Sequence, residues 1–272
     1  MTPLRLGTRG STLALAQATE VARLVGGEVE LVKITTAGDV DRARGDKSRW
    51  VGALESALLS GEIDLAVHSA KDVPGELADG MALAAALPRE DALASVREGA
   101  RVGTSALRRR AQLLAVRPDL EVSEIRGNVD TRLAKRAAGE VDVLVLAAAG
   151  LDRLGRRREA GALLHEDVFV PAAGQGVIAI QARAGSPAAA EALRADHAST
   201  HAALDAERHV VRALEATCHT PVGVLATRDG VRGFVGLPDG SEYLFERSST
   251  ADGLAKRLLA AGAIELLRAL TP

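Results

Sequence analysis

LRLGTRGSTLALAQATEVARLVGGEVELVKI, residues Leu4 to Ile34, holds a complete strand-helix-strand unit. Leu4 to Leu6 is a short apolar run that reads as a strand. Leu13, Ala14, Ala18, Val21 and Leu24 then recur at helical spacing across Ser11 to Val25, and Val29 to Ile34 is apolar and β-branched again. Gly7-Thr8-Arg9-Gly10 joins the first strand to the helix. The pattern recurs outward from this unit: a helix over Trp50 to Ser60, then a strand over Ile63 to Val67 that runs into His68-Ser69-Ala70-Lys71-Asp72-Val73-Pro74. A second series starts near Arg101, with a strand into Gly103-Thr104-Ser105 and a helix over Leu107 to Val116 stopped by Pro118. It continues with a strand over Leu120 to Ile125, a helix over Val129 to Ala138 and a strand over Val141 to Leu146. Strands alternating with helices predict an α/β fold of mostly parallel sheets covered by helices on both faces.

After Ser199 the pattern changes. A helix through Leu204, Val211 and Leu214 leads to Cys218, then to short strands punctuated by Asp229-Gly230 and Asp239-Gly240, then to one helix from about Ala251 to Leu270. Asp-Gly between apolar runs is a hairpin signal, so the last stretch predicts a small α+β domain.

The 272 residues suffice for two or three domains, and 47% hydrophobic with 26% charged residues is globular composition, which excludes disorder and fibrous repeats. No run approaches the roughly 18 apolar residues of a membrane span, and the first ten residues lack a signal peptide's apolar core, so a cytoplasmic protein without a membrane partner is expected. One cysteine excludes an internal disulfide framework. A net charge of −2 and 2% aromatics speak against nucleic acid as a partner, since base-stacking platforms are nearly lacking. No zincin or EF-hand spacing occurs, so no metal is expected. A monomer is expected.

In an open α/β sheet, ligands bind at the carboxyl ends of the strands. The residues that follow the predicted strands include Arg9, Ser11, Lys71, Asp72, Thr104, Ser105, Arg108, Arg109, Arg126, Arg132 and Arg153. Any one such arginine is ordinarily a surface residue or an ion-pair partner. Together they describe a cleft for a polyanion, because guanidinium forks pair bidentately with carboxylates and helix N-termini favour anions. Gly174-Gln175-Gly176 matches part of a dinucleotide fingerprint, but the apolar run after it reads as a strand where the fingerprint needs a helix, and a nucleotide site is rejected there. His68 reads as a strand-end histidine with a satisfied partner.

In order along the chain, seven motifs resemble the porphobilinogen deaminase family. They are Thr8-Arg9-Gly10-Ser11 with Leu13-Ala14-Leu15; Ala66-Val67-His68-Ser69-Ala70-Lys71-Asp72-Val73-Pro74; Gly103-Thr104-Ser105-Ala106-Leu107-Arg108-Arg109; Arg126-Gly127-Asn128-Val129 with Thr131-Arg132-Leu133; Ala149-Gly150-Leu151 with Arg153-Leu154-Gly155; Pro171-Ala172 with Gly174-Gln175-Gly176; and Leu214-Glu215 with Cys218 and Pro221. The resemblance implies two periplasmic-binding-protein-like lobes and a small C-terminal α+β domain. Domain 1 would be residues 1–96 with 175–197, domain 2 residues 97–174, and domain 3 residues 198–272. It implies a transferase that condenses four porphobilinogen molecules, releasing ammonia, into hydroxymethylbilane. The implied cofactor is a dipyrromethane held through a thioether to Cys218, and the implied catalytic carboxylate is Asp72. Arg9, Ser11, Lys71, Thr104, Ser105, Arg108, Arg109, Arg126, Arg132 and Arg153 would bind the carboxylates of cofactor and substrate, with Lys47 and Trp50 in a lid.

The chain departs from the family pattern in its lid, Asp46-Lys47-Ser48-Arg49-Trp50, and at Ala106, Asp130, Ala216-Thr217 and His219-Thr220. A non-catalytic bilobal module for organic anions would share the fold and the arginines, but would leave Asp72 and Cys218 without roles.

Overall fold

Alternating apolar residues in the first series can be buried on both faces only if helices cover both sides of a sheet, and that is the arrangement of the computed structural model, which describes residues 3–36, 48–87, 99–160, 163–217 and 219–270. The chain divides into two compact units, Met1–Glu90 with Gly174–Leu204 and Asp91–Ala173 with Asp205–Pro272.

The first unit holds β1 (Leu4–Thr8), α1 (Thr12–Val25), β2 (Val29–Lys33), α2 (Ser48–Ser60), β3 (Leu65–Ser69) and β4 (Met81–Ala86). Its five-stranded sheet is completed from far along the sequence and has the order β2-β1-β3-β8-β4, where β8 is Ile178–Arg183. β1 pairs parallel with β2 and β3, whereas β8 lies antiparallel between β3 and β4. The sheet is therefore parallel on one side of β3 and antiparallel on the other.

Strand alternation assigns the two faces. Leu6, Leu65, Val67, Ile178 and Ile180 pack with Ala18, Val21 and Val25 of α1, while Ala66 and Ile63 pack with Leu54 and Leu58 of α2. A fully buried leucine of this kind contributes roughly 2 to 3 kcal/mol. Gly7 leaves room for the side chains of Ile63 and Leu54 to pack where a Cβ would stand. β4, MALAAA, is not legible from propensity because alanine is a poor strand former; pairing with the buried β8 overrides local preference. Two short helices, α6 (Pro187–Ala192) and the start of α7 (Ala198–Ala213), follow β8.

The second unit carries a parallel sheet, order β6-β5-β7, formed by β5 (Arg101–Gly103), β6 (Glu121–Ser123) and β7 (Val143–Leu144) with α3 (Leu107–Val116), α4 (Val129–Ala137) and α5 (Ala148–Arg153). It also carries an antiparallel sheet, order β11-β10-β9, formed by β9 (Val222–Thr227), β10 (Gly230–Gly236) and β11 (Tyr243–Ser248). The first hairpin turns on Arg228-Asp229, one residue earlier than the Asp-Gly pair suggests, and Gly230 at φ +124 opens β10. The single predicted C-terminal helix is two helices, α8 (Ala251–Ala260) and α9 (Ala263–Arg268), because Gly262 takes the left-handed conformation and ends the helical run.

Candidate active site

β3 is the central strand of the first sheet, and the chain leaves it through one 3-10 turn, Ala70–Asp72, which carries Lys71 and Asp72, both half-buried. The turn stops at Val73 because Pro74 confines its predecessor to extended backbone; Val73 has φ −77 and ψ 129. A second segment holds the turn from the side. The backbone N–H of Ala70 donates to Val177 O at 2.9 Å, and Gly174, at φ +69, sits so close that a Cβ would lie 2.8 Å from Ala70 Cβ and 2.9 Å from its carbonyl carbon. The Gly-Gln-Gly motif thus braces the Asp72 turn, and β8 follows it as a strand, as the rejection of a nucleotide site requires.

Arg9 and Ser11 lie in the loop after β1. The Ser11 hydroxyl caps α1 by accepting from the Ala14 N–H at 3.3 Å, and buried Thr8 ties the end of β1 to the same turn by donating to Ala14 O at 3.1 Å. His68, the last buried residue of β3, is only 5% exposed. Burial pushes its imidazole down to about 4; a hydrogen bond with Gln181 and the Asp72 carboxylate act upward, and Arg9 acts downward. It is neutral at neutral pH. Nearby, Gln17 and Ser69 exchange hydrogen bonds of 2.9 and 3.3 Å. Gln17 and Gln181 escape the sequence reading, although each interrupts an apolar face, and a buried amide in such a place must have partners.

In the second unit, Thr104 and Ser105 follow β5. Thr104 is buried and its hydroxyl accepts from the Ala106 N–H at 3.3 Å. Ala106 precedes α3 without a side-chain cap bond, and its carbonyl accepts from the N–H groups of Arg109 and Arg110 at 3.0 and 3.1 Å. Arg108 and Arg109 are almost fully buried. Arg108 Nη1 donates to Val170 O at 2.6 Å with its guanidinium carbon 5.8 Å from the centre of the Phe169 ring, and Arg109 Nη1 donates to Val145 O at 2.8 Å. Gly223 of β9 closes over this region, since a Cβ there would meet Val170 O at 2.7 Å and Arg108 Cδ at 3.0 Å.

Arg126 is exposed and paired with Glu124 at 2.7 Å. Arg132 Nε donates to Gly127 O at 2.8 Å, and Arg153 is half-buried in α5. Gly127, at φ +126 with Thr131 filling the place of a Cβ, permits Asn128 to cap α4. Asp130 is paired with Arg156, which is also paired with Glu159.

Cys218 and Lys47 lie outside the described residues, and Trp50 is described only as helical backbone at the start of α2. The chain on either side of Cys218 is knitted by two threonines: the Thr217 N–H donates to Thr220 Oγ1 at 2.9 Å, and that hydroxyl donates to Thr217 O at 2.7 Å. Glu215 just before them has φ +50.

Residues 4–191 match the family described as porphobilinogen deaminase, dipyrromethane cofactor binding domain, and residues 202–265 match porphobilinogen deaminase, C-terminal domain. The chain is 44% identical to a porphobilinogen deaminase of Trichlorobacter lovleyi, covering 97% of this chain and 95% of that protein. It is 45% identical to one of Rubrobacter xylanophilus, covering 97% and 96%. Among solved structures, a probable amino-acid ABC transporter extracellular-binding protein of Bacillus subtilis superposes with a TM-score of 0.39 and 10% identity, over 71% of this chain and 91% of that one.

Proposed function

The chain belongs to the porphobilinogen deaminase family, and on that premise we propose how its residues carry the reaction. It is a transferase that condenses four porphobilinogen molecules, releasing ammonia, into the linear tetrapyrrole hydroxymethylbilane, with a dipyrromethane cofactor. The division into three domains, at residues 1–96 with 175–197, 97–174 and 198–272, is part of the proposal.

The donor set suits a carboxylate-rich group. Ring acetates and propionates pair with fixed cationic forks, and two buried arginines stand in the first turn of α3. When bound through Cys218, the dipyrromethane supplies the pyrrole carbon to which the first substrate ring is joined. Arg9, Lys71, Arg108, Arg109, Arg126, Arg132 and Arg153 grip the acidic arms, with Ser11, Thr104 and Ser105 as further donors and Lys47 and Trp50 in the lid.

Asp72 performs the chemistry. Loss of ammonia from the protonated aminomethyl group leaves a positive charge on the substrate, which a carboxylate facing the pyrrole N–H stabilises. When the new carbon-carbon bond forms, the joined ring carbon gives up its proton, and Asp72 is the base that takes it. The observation that carries this reading is the position of Asp72, at the carboxyl end of the central strand on a turn pinned by Gly174 and Val177.

A monomer acting in the cytoplasm without nucleic acid belongs to the same proposal, supported by the charge of −2 and the scarcity of aromatics. Among the described residues no helix is long and apolar enough to cross a membrane. The test is turnover: purified protein should convert porphobilinogen to hydroxymethylbilane with one ammonia released per ring added. An anion-binding module would bind porphobilinogen and release none.

A further inference from the structure

β8 carries one uncharged polar side chain among its apolar ones, Gln181, which is fully buried opposite Ala66 of β3. Opposed residues of an antiparallel pair share a face, so Gln181 lies on the α2 side of the sheet, with His68 two residues along β3 from Ala66. There it makes two bonds: its Nε2 donates to Glu55 Oε1 at 2.7 Å, and its Oε1 lies 2.9 Å from His68 Nε2. A carboxylate only accepts, so Glu55 fixes which way the Gln181 amide faces. The amide oxygen then faces His68 and calls for a proton on Nε2. Turned over, the amide would set its oxygen against the Glu55 carboxylate.

We propose that Glu55 and Gln181 are positioning residues for the Asp72 turn, acting through His68, whose ring proton they hold on Nε2. This rests on reading Asp72 as the catalytic carboxylate. The charged groups that act on His68 are Asp72 from the turn and Arg9 from the loop after β1, while Glu55 on α2 reaches it through Gln181. An imidazolium at this place would add a second cation beside Arg9 and compete with the substrate's positive charge for the Asp72 carboxylate. Burial keeps His68 neutral against the upward pull of Gln181 and Asp72, and a neutral ring whose proton is turned to Gln181 leaves that carboxylate to the substrate.

The test is nitrogen NMR of the histidine rings in the full-length protein, together with steady-state kinetics. His68 should show a neutral ring protonated on Nε2 at neutral pH. Gln181→Met, which keeps the volume and removes both bonds, should lose that tautomer and lower kcat on the order of tenfold with KM and covalent dipyrromethane content kept. A wild-type His68 protonated on Nδ1 or cationic at neutral pH overturns the proposal, as does an unchanged kcat in folded Gln181→Met. If Gln181→Met does not fold, the wild-type tautomer decides. Failure of the Asp72 reading is separate, because Asp72→Asn would then keep its turnover whatever the state of His68.

Discussion

Replacing Gly174 by alanine tests whether the Gly-Gln-Gly segment holds the Asp72 turn. At φ +69 an alanine costs about 1 to 2 kcal/mol in backbone conformation alone. Its methyl would also lie 2.8 Å from Ala70 Cβ, 2.9 Å from the Ala70 carbonyl carbon and 3.0 Å from Leu204 Cδ1. Relief requires Ala70, and with it Lys71 and Asp72, to move by several tenths of an ångström, and overpacking of this kind costs about 1 to 3 kcal/mol more. The expected destabilisation is therefore about 2 to 5 kcal/mol. Gly61 is the control: it has φ +73, but its nearest neighbour to an added Cβ is a flexible Arg183 Nη1 at 3.8 Å. Gly61→Ala should cost only the conformational part and leave turnover unchanged. Urea unfolding followed by circular dichroism reads the first effect and porphobilinogen consumption the second, where Gly174→Ala should lose about a hundredfold in kcat. Equal unfolding midpoints for the two variants, or normal kcat in Gly174→Ala, would refute the bracing argument.

Asp72→Asn should fold and retain its dipyrromethane yet lose turnover by about a hundredfold to a thousandfold in a single-turnover assay, the usual scale for removing an electrostatic stabiliser. Wild-type protein should carry a two-pyrrole adduct by intact-mass spectrometry, and Cys218→Ser should lack it. The buried His68 makes stability depend on pH: below its ordinary 6.5 the unfolded chain takes a proton that the folded chain refuses until about 4, so stability falls as pH drops through that window, by about 3 kcal/mol. Denaturation of His68→Gln at pH 7 and pH 4 should show a drop smaller by that amount; an equal drop in both proteins would place the acid sensitivity elsewhere.

The βα units are legible because their signals are local: apolar spacing in α1 and Pro118 as the stop after α3. What escapes is set by distant sequence. β4 is a strand because β8 lies beside it, and β8 reaches the sheet from nearly a hundred residues away to lie antiparallel where alternation suggests parallel. Gln181 has the same origin, since its partners Glu55 and His68 lie |i−j| = 126 and 113 residues off and no local pattern links them. Gly262, by contrast, is visible in the sequence, but the apolar period continues across it, and only its left-handed backbone splits the predicted helix.

The arginines that look alike in the sequence differ in what they can do. Arg126 sits exposed against Glu124, in a pair that water and salt screen and that a ligand carboxylate must displace. Arg108 and Arg109 are buried, and their guanidinium groups are fixed by the carbonyls of Val170 and Val145. A fork already held by the main chain loses little freedom when a carboxylate arrives, and reduced screening makes its charge count for more. Lysine cannot reproduce that geometry, because its single ammonium cannot hold the backbone carbonyl and present a planar fork to a carboxylate together. On the proposed reading, Arg109→Lys should therefore impair substrate use more than Arg126→Lys, although both keep the charge. Equal kcat/KM for the two variants would mean that charge alone, and not the anchored fork, holds the acidic arms.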